Sequence, residues 1–301
     1  MGLLKILRFL NKACVITNPE GALTENRKAS NPWSLCTVDQ VEELKRVIKI
    51  VPIWSTGVMV SVTMSQGSFA VLQASTLDRH ITTKFEIPAG SFSAFMILTV
   101  IIWIALYDRV IIPFASKIKG NPIGLSLTQK MGIGILFSSA SMAAFAILEG
   151  VRRKNAIREG FADNPKAVLN ISAVWLLPYH VFGGLAEAFN AIGQNEFYYA
   201  ELPESMSSVA TSLFQLGYSA ANMAASFIVN LVDNLSKTAG QKSWVSSNIN
   251  KGHYDYYYWL LAGLSLVNFM YYLGCCKAYG PCNSSGDQVQ DENEGIDEDD
   301  R

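Results

Sequence analysis

The chain has 301 residues, half of them hydrophobic and only 16% charged, with a formal net charge of −1. Soluble domains carry about a quarter charged residues, so the composition argues for a membrane protein, and the near-neutral charge excludes a basic nucleic-acid footprint. Cys14, Cys36, Cys275, Cys276 and Cys282 form no C-x-x-C pair and have no partnering His, so spacing indicates neither a zinc site nor a disulfide framework.

Residues 1–48 read as a polar, basic preface. Its opening is not a signal peptide, because Lys5, Arg8 and Lys12 interrupt the apolar region. At helical spacing those three share one face, with Leu3, Ile6, Leu7, Phe9 and Leu10 on the other side. Such an amphipathic helix lies on a membrane surface or packs on protein, and the pattern leaves both open. "TVDQVEELKRVIKIVPIW" then leads into a first span as one helix, with Thr37 as N-cap for Gln40 and Pro52 tolerated inside it.

Uncharged runs follow at 50–77, 87–107, 131–148, 205–232 and 256–276, and a sixth, 167–194, is broken only by Glu187. A hydrocarbon core of roughly 30 Å takes about 20 helical residues to cross. The pattern predicts an all-α membrane protein with six transmembrane helices in 49–278, followed by an acidic, disordered tail at 279–301. Lys and Arg are too evenly divided among the connecting segments to orient the spans by the positive-inside rule.

Glu187 is the costly residue. A charge at the centre of a membrane helix costs roughly 2.5–3.5 kcal/mol on insertion scales, and such residues usually mark pathways or proton relays. His180 and Gln194 lie seven residues to either side and share its face, while Gly183, Gly184 and Ala191 flank it and are expected to leave room beside the carboxylate. Polar stripes recur in the first span (Thr56, Thr63, Gln66, Gln73) and the fifth (Ser208, Ser212, Gln215, Ser219, Asn222, Ser226). Three such faces suggest a shared hydrated cavity, against the ordinary role of these residues as interhelical glue. Tyr107, Asp108 and Arg109 close the second span and read as a gating loop whose charges pair across helix ends. The chain carries no H-E-x-x-H, G-x-S-x-G, P-loop or G-x-G-x-x-G motif, so no enzyme, metal or cofactor is expected.

The stretches "NPWSLCTVDQVEELK", "VPIWSTG", "LDRHI", "YDRVIIP", "GLAEAFNAIGQNEFYYAELPESMSS" and "NINKGHYDYYYWLLA" carry a family resemblance. The chain resembles the plant nitrate and peptide transporters, within the proton-dependent oligopeptide transporters of the major facilitator superfamily. The likeness implies the carboxy-terminal half of a twelve-span protein: a cytosolic inter-bundle linker, then one six-helix bundle of a major facilitator fold, with both ends cytosolic. By position, Glu187 then matches a cavity glutamate, Gln66 a cavity residue and Phe214 the place of a cavity tryptophan; His180 joins the expected pathway only through the face it shares with Glu187. Met96 stands where peptide-transporting relatives carry asparagine, and Pro178-Tyr179-His180 departs from the family's Pro-Gln-Tyr. The implied function is proton-coupled symport of nitrate or another small solute in the plasma membrane, with the vacuolar membrane as alternative. The implied partners are substrate, protons, the lipid bilayer and an amino-terminal half. The rival expectation is a non-transporting truncated protein that pairs with, and regulates, a full-length relative.

Overall fold

The computed structural model describes residues 7–15, 36–119, 125–237 and 242–279. The acidic tail from Asp287 and half of the amphipathic preface (Leu3, Lys5 and Ile6 among it) lie outside them. The helices are α1 Val38–Met64, α2 Gly67–Ser75, α3 Ser93–Leu106, α4 Ile112–Lys119, α5 Leu127–Arg158, α6 Leu177–Glu201, α7 Ser207–Ser236 and α8 Tyr254–Tyr279. Strand β1 (Leu77–Asp78) pairs in parallel with β4 (Leu169–Ser172), and β2 (His80–Thr82) pairs antiparallel with β3 (Phe85–Glu86).

Local chemistry sets the helix ends. Thr37 accepts from the Gln40 backbone N–H at 3.2 Å, and the Gln40 side chain accepts from the Thr37 N–H at 3.0 Å. Ser126 and Gln129 make the same reciprocal cap on α5. At the far end of α5, Gly160 adopts φ 80°. The Phe161 and Gly160 amides there donate back to Ala156 and Ile157, the double bond that terminates helices through a left-handed residue. Helix α5 therefore runs past the uncharged stretch ending at Leu148. Arg152, Arg153, Lys154 and Arg158 are helical, not members of a connecting loop.

Four segments are long and apolar enough to cross a membrane: Val38–Ser75, Ala89–Phe114, Leu127–Arg158 and Tyr254–Tyr279. Helices α6 and α7, with 25 and 30 residues, match them in length. Their apolar character is diluted by Glu187, His180, Asn190 and Gln194 on α6 and by the serine stripe on α7. Helix α1 continues through Pro52 and pauses only at Ser65–Gln66 before α2, so the expected boundary at residue 49 falls within a continuous helix. Between α3 and α4 the chain widens into a π turn, Tyr107–Ile111.

Helix α5 packs between α6 and α8, α3 lies against α6, and α7 lies mainly against α1. Phe145 of α5 is stacked between Tyr179 of α6 and Tyr258 of α8, with ring centroids at 4.3 and 4.1 Å. Helix α3 buries none of its residues and leaves Ile97, Leu98, Ile101 and Ile102 exposed, as suits a lipid-facing helix. The described part of the preface, Leu7–Cys14, is a 3-10 helix packed on α1. There Lys45 donates to Asn11 Oδ1 and Glu42 Oε1, both at 2.5 Å, while Phe9 on the apolar side stays exposed.

Candidate functional site

Helices α6 and α7 form a hairpin around Leu202, and Glu187 and Tyr218 lie at similar distances from that turn, roughly 22–24 Å along each helix at 1.5 Å per residue. The two helices are in contact along this hairpin. Glu187 is half-buried, and its Oε2 is buried with no hydrogen-bond partner. A hidden carboxylate oxygen without a donor is costly in a low-dielectric setting, and no cation among the described residues pairs with it. Tyr218 was not singled out in the sequence; its signal is the four-residue spacing Phe214, Tyr218, Asn222 along α7.

The neighbouring glycines serve a different purpose from the one expected. A Cβ on Gly184 would lie 2.7 Å from the Met96 carbonyl oxygen and from Thr99 Cβ, and one on Gly183 would lie 2.7 Å from Met96 Cε. The space is filled by α3, which approaches α6 closely; it is not left open beside the carboxylate. Met96, flagged for its place in the resemblance, is thus a packing residue against Gly183.

His180 and Gln194 share Glu187's helical face but not its surroundings. His180 is 3% exposed, lies against Phe92 at 6.4 Å and Tyr179 at 4.8 Å between ring centroids, and has no partner for either ring nitrogen. Gln194 donates to Asn190 Oδ1 and accepts from the Tyr198 hydroxyl, both at 2.7 Å. Gly57 of α1 lies over its amide so closely that a Cβ there would overlap it.

The three polar stripes do not converge on one cavity. Thr56 and Thr63 of α1 are fully buried, and Thr63 Oγ1 meets Ser138 Oγ of α5 at 2.7 Å. Asn268 of α8 donates to the Thr56 carbonyl at 2.9 Å. That stripe is interhelical glue, since heptad spacing fixes a face but not which neighbour the face meets. Gln66 is likewise buried, donating to the Val62 carbonyl at 2.9 Å and accepting from the Tyr257 hydroxyl at 3.1 Å. The α7 stripe is exposed, with Ser212, Ser219 and Ser226 each donating to the carbonyl four residues earlier. One convergence survives: Gln66, Asn222 and Ser226 line a common groove of about 350 Å³ between the α1–α2 junction and α7. Phe214 is half-buried in the apolar cluster that also holds Trp54 and Leu213.

At the opposite end of α3, Tyr107 accepts from the Leu125 amide at 3.1 Å, and Lys130 Nζ lies 5.9 Å above its ring. Asp108 and Arg109 are exposed and form no ion pair among the described residues, so the expected pairing across helix ends is not made there. Among the described residues, ion pairs between helices are made instead by Lys130–Glu196, at 2.6 Å between α5 and α6, and by Lys49–Glu201, at 3.4 Å between α1 and α6.

One buried charge cluster escaped the sequence reading. Glu149 and Arg152 are both wholly buried and form a two-pronged pair, Nε–Oε2 at 2.7 Å and Nη2–Oε1 at 2.8 Å. Arg152 also donates to Asn250 Oδ1 at 2.7 Å and to the Ile249 carbonyl at 3.2 Å. Asn250 in turn donates to the carbonyls of Phe161 and Asn164 at 2.8 and 2.9 Å. The i, i+3 spacing of Glu149 and Arg152 is the signal the sequence offers, hidden because both lie just past the uncharged run 131–148. Among the described residues no cluster of three His, Cys, Asp or Glu could hold a metal.

Comparison with known proteins agrees with this architecture. Residues 9–245 match the model of the POT family. Protein NRT1/PTR FAMILY 1.2 of Arabidopsis thaliana is 51% identical over 299 residues, 97% of this chain and 49% of that protein. The chain spans about half the length of the curated relatives it matches. The fold resembles the crystal structure of an auto-inhibited POT family peptide transporter, with a TM-score of 0.58 and 17% identity over 82% of this chain and 43% of that one. A POT family transporter crystallised with 5-aminolevulinic acid gives a TM-score of 0.55 at 14% identity, over 93% of this chain and 47% of that one. With the family's model matched over residues 9–245 and a relative 51% identical over nearly the whole of it, the chain belongs to the POT family.

Proposed function

We propose that this chain forms the six-span, carboxy-terminal bundle of a proton-coupled transporter for nitrate or another small solute. In this reading α1–α2, α3–α4, α5, α6, α7 and α8 are the six spans. Such transporters bind their substrate near the bilayer midplane between two bundles that rock against each other. The chain's half-length match to its relatives and the exposed polar face of α7 are consistent with one bundle presenting its half of such an interface. The observation that carries the reading is Glu187, a half-buried carboxylate with one hidden oxygen unpartnered among the described residues, at the same depth along the α6–α7 hairpin as Tyr218. A group so placed would take a proton when its face opens to the acidic side and release it when the face opens to the other. The residues assigned to the pathway are Glu187, Tyr218, Gln66 and Phe214. His180, enclosed by aromatic rings, serves the packing of α6. The plasma membrane is the proposed site of action.

The test is reconstitution. The chain is fused to the amino-terminal six-span half of a full-length relative and placed in vesicles with an inward proton gradient. Gradient-dependent uptake of labelled nitrate by the fusion, and none by the chain alone, is the expected result. A fusion that assembles yet moves neither nitrate nor dipeptide would favour the regulatory reading.

A further inference from the structure

Five cysteines scattered through 301 residues carry no sequence signal of pairing, yet the fold brings two of them together across the preface. The Cys36 backbone N–H donates to the Ala13 carbonyl at 3.0 Å, and the Cys14 thiol donates to the Thr37 carbonyl at 3.3 Å. With standard backbone dimensions the first bond holds the Cα atoms of Cys14 and Cys36 no more than about 7 Å apart. That ceiling lies at the upper edge of the roughly 4.4–6.8 Å over which a disulfide closes, so the pair needs at most a small approach. The second bond keeps the Cys14 sulfur on the side of the chain where Cys36 lies. Both cysteines are half-buried, so a small oxidant can reach them, and both are reduced in the structure.

We propose that Cys14 and Cys36 form a reversible oxidative staple, closed by a two-electron oxidant of the peroxide class. One thiolate attacks a peroxide oxygen, breaking the O–O bond and giving a sulfenic acid; protons from solvent and thiol carry the departing oxygen away as water. The second thiolate attacks the sulfenic sulfur, the S–S bond forms, and a second water leaves. The net change is two thiols and one hydrogen peroxide to one disulfide and two waters. Thiol–disulfide exchange with a small thiol reopens it.

The staple joins two elements that already touch. Leu7–Cys14 is held on α1 by the Asn11–Lys45 bond, and Cys36 immediately precedes the Thr37 cap from which α1 starts. Oxidation therefore fixes the preface against the entrance of α1 and keeps Lys45, already only 7% exposed, covered. Reduction leaves that contact to a few hydrogen bonds, free to open.

The test uses the whole chain, purified in detergent, treated with hydrogen peroxide and digested without reductant. Mass spectrometry is expected to find a joined Cys14–Cys36 peptide as the main cross-link. It should form about tenfold faster than in the denatured chain, because the fold pre-aligns the thiols. The joined peptide should vanish in Cys14→Ser and, independently, in Cys36→Ser, and should revert with dithiothreitol. As a second readout, acylation of Lys45 by an amine-reactive ester should slow several-fold on oxidation. Separate oxidation of the two cysteines without a joined peptide would overturn the proposal. So would a joined peptide that forms no faster than in the denatured chain.

Discussion

Two glutamates of one bundle, each in a setting that penalises a carboxylate, are handled in opposite ways. Glu149 is wholly enclosed and has both oxygens on the Arg152 guanidinium, which reaches on to Asn250 and the Ile249 carbonyl. Glu187 is only half-buried, yet one of its oxygens has no donor among the described residues. The first arrangement ties α5 to the loops at 161–164 and 249–250 and, through Arg152 donating to Thr76 Oγ1 at 3.5 Å, to the end of α2. The second leaves an acceptor oxygen unsatisfied, which in the proposed function is what keeps Glu187 available to a proton. In that proposal burial does not separate a structural carboxylate from a working one; the presence of a committed partner does.

The largest expected effect breaks the paired side of this contrast. Arg152→Met leaves Glu149 enclosed without its cation, a change that costs about 3–5 kcal/mol. Thermal unfolding in detergent should show a large loss, or no folded protein should be recovered. Adding Glu149→Leu removes the stranded charge and should recover much of that loss. If the single variant unfolds at the same temperature as the parent, the network is not fastening the bundle.

The next effect probes the packing beside Glu187. Gly184→Val puts side-chain atoms where α3 already lies, with Met96 O and Thr99 Cβ each 2.7 Å from the new Cβ. Overpacking of this kind costs about 1–3 kcal/mol. The same unfolding measurement checks it, and an unchanged midpoint would mean that α3 and α6 stand further apart than described.

The smallest effect is a pH dependence at the Arg152 end. His253 Nε2 meets Arg153 at 3.1 Å and its ring stacks on Tyr256 at 4.6 Å. Burial first, and then the Arg153 charge, hold the imidazole below its ordinary value of 6.5. The unfolded chain thus binds this proton more readily than the folded one. The contribution is complete above about pH 6.5 and is lost as pH falls through the lowered folded value. Unfolding midpoints from pH 7 to pH 5 should fall less steeply in His253→Gln than in the parent; identical slopes would remove His253 from the account.

How much of this was legible in the sequence follows from what sequence patterns encode. Uncharged runs located α1–α2, α3, α5 and α8, because length and apolarity are local properties. The Thr37–Gln40 cap was legible for the same reason, since its partners are three residues apart. The end of α5 was not, because charges on a helix end look the same as charges on a loop until Arg152 is seen to fold inward. The α1 stripe pointed to a polar face but not to Ser138 and Asn268 as what the face meets. Of the site, Glu187 stood out by its cost alone. The place of Tyr218, like the bonds that join Ala13–Cys14 to Cys36–Thr37, depends on two segments meeting in space, which no single stretch of sequence records.

The most direct measurement is Glu187→Gln in the chain completed by an amino-terminal half, reconstituted in vesicles, with uptake followed across external pH. Glutamine keeps the shape and hydrogen-bonding capacity but cannot take up a proton or hold a charge, and it costs less in hydrocarbon than a carboxylate. Membrane insertion and unfolding temperature should be unchanged or slightly improved, while gradient-driven uptake falls sharply. Uptake equal to the parent at every pH would make Glu187 a packing residue, no different in kind from Glu149.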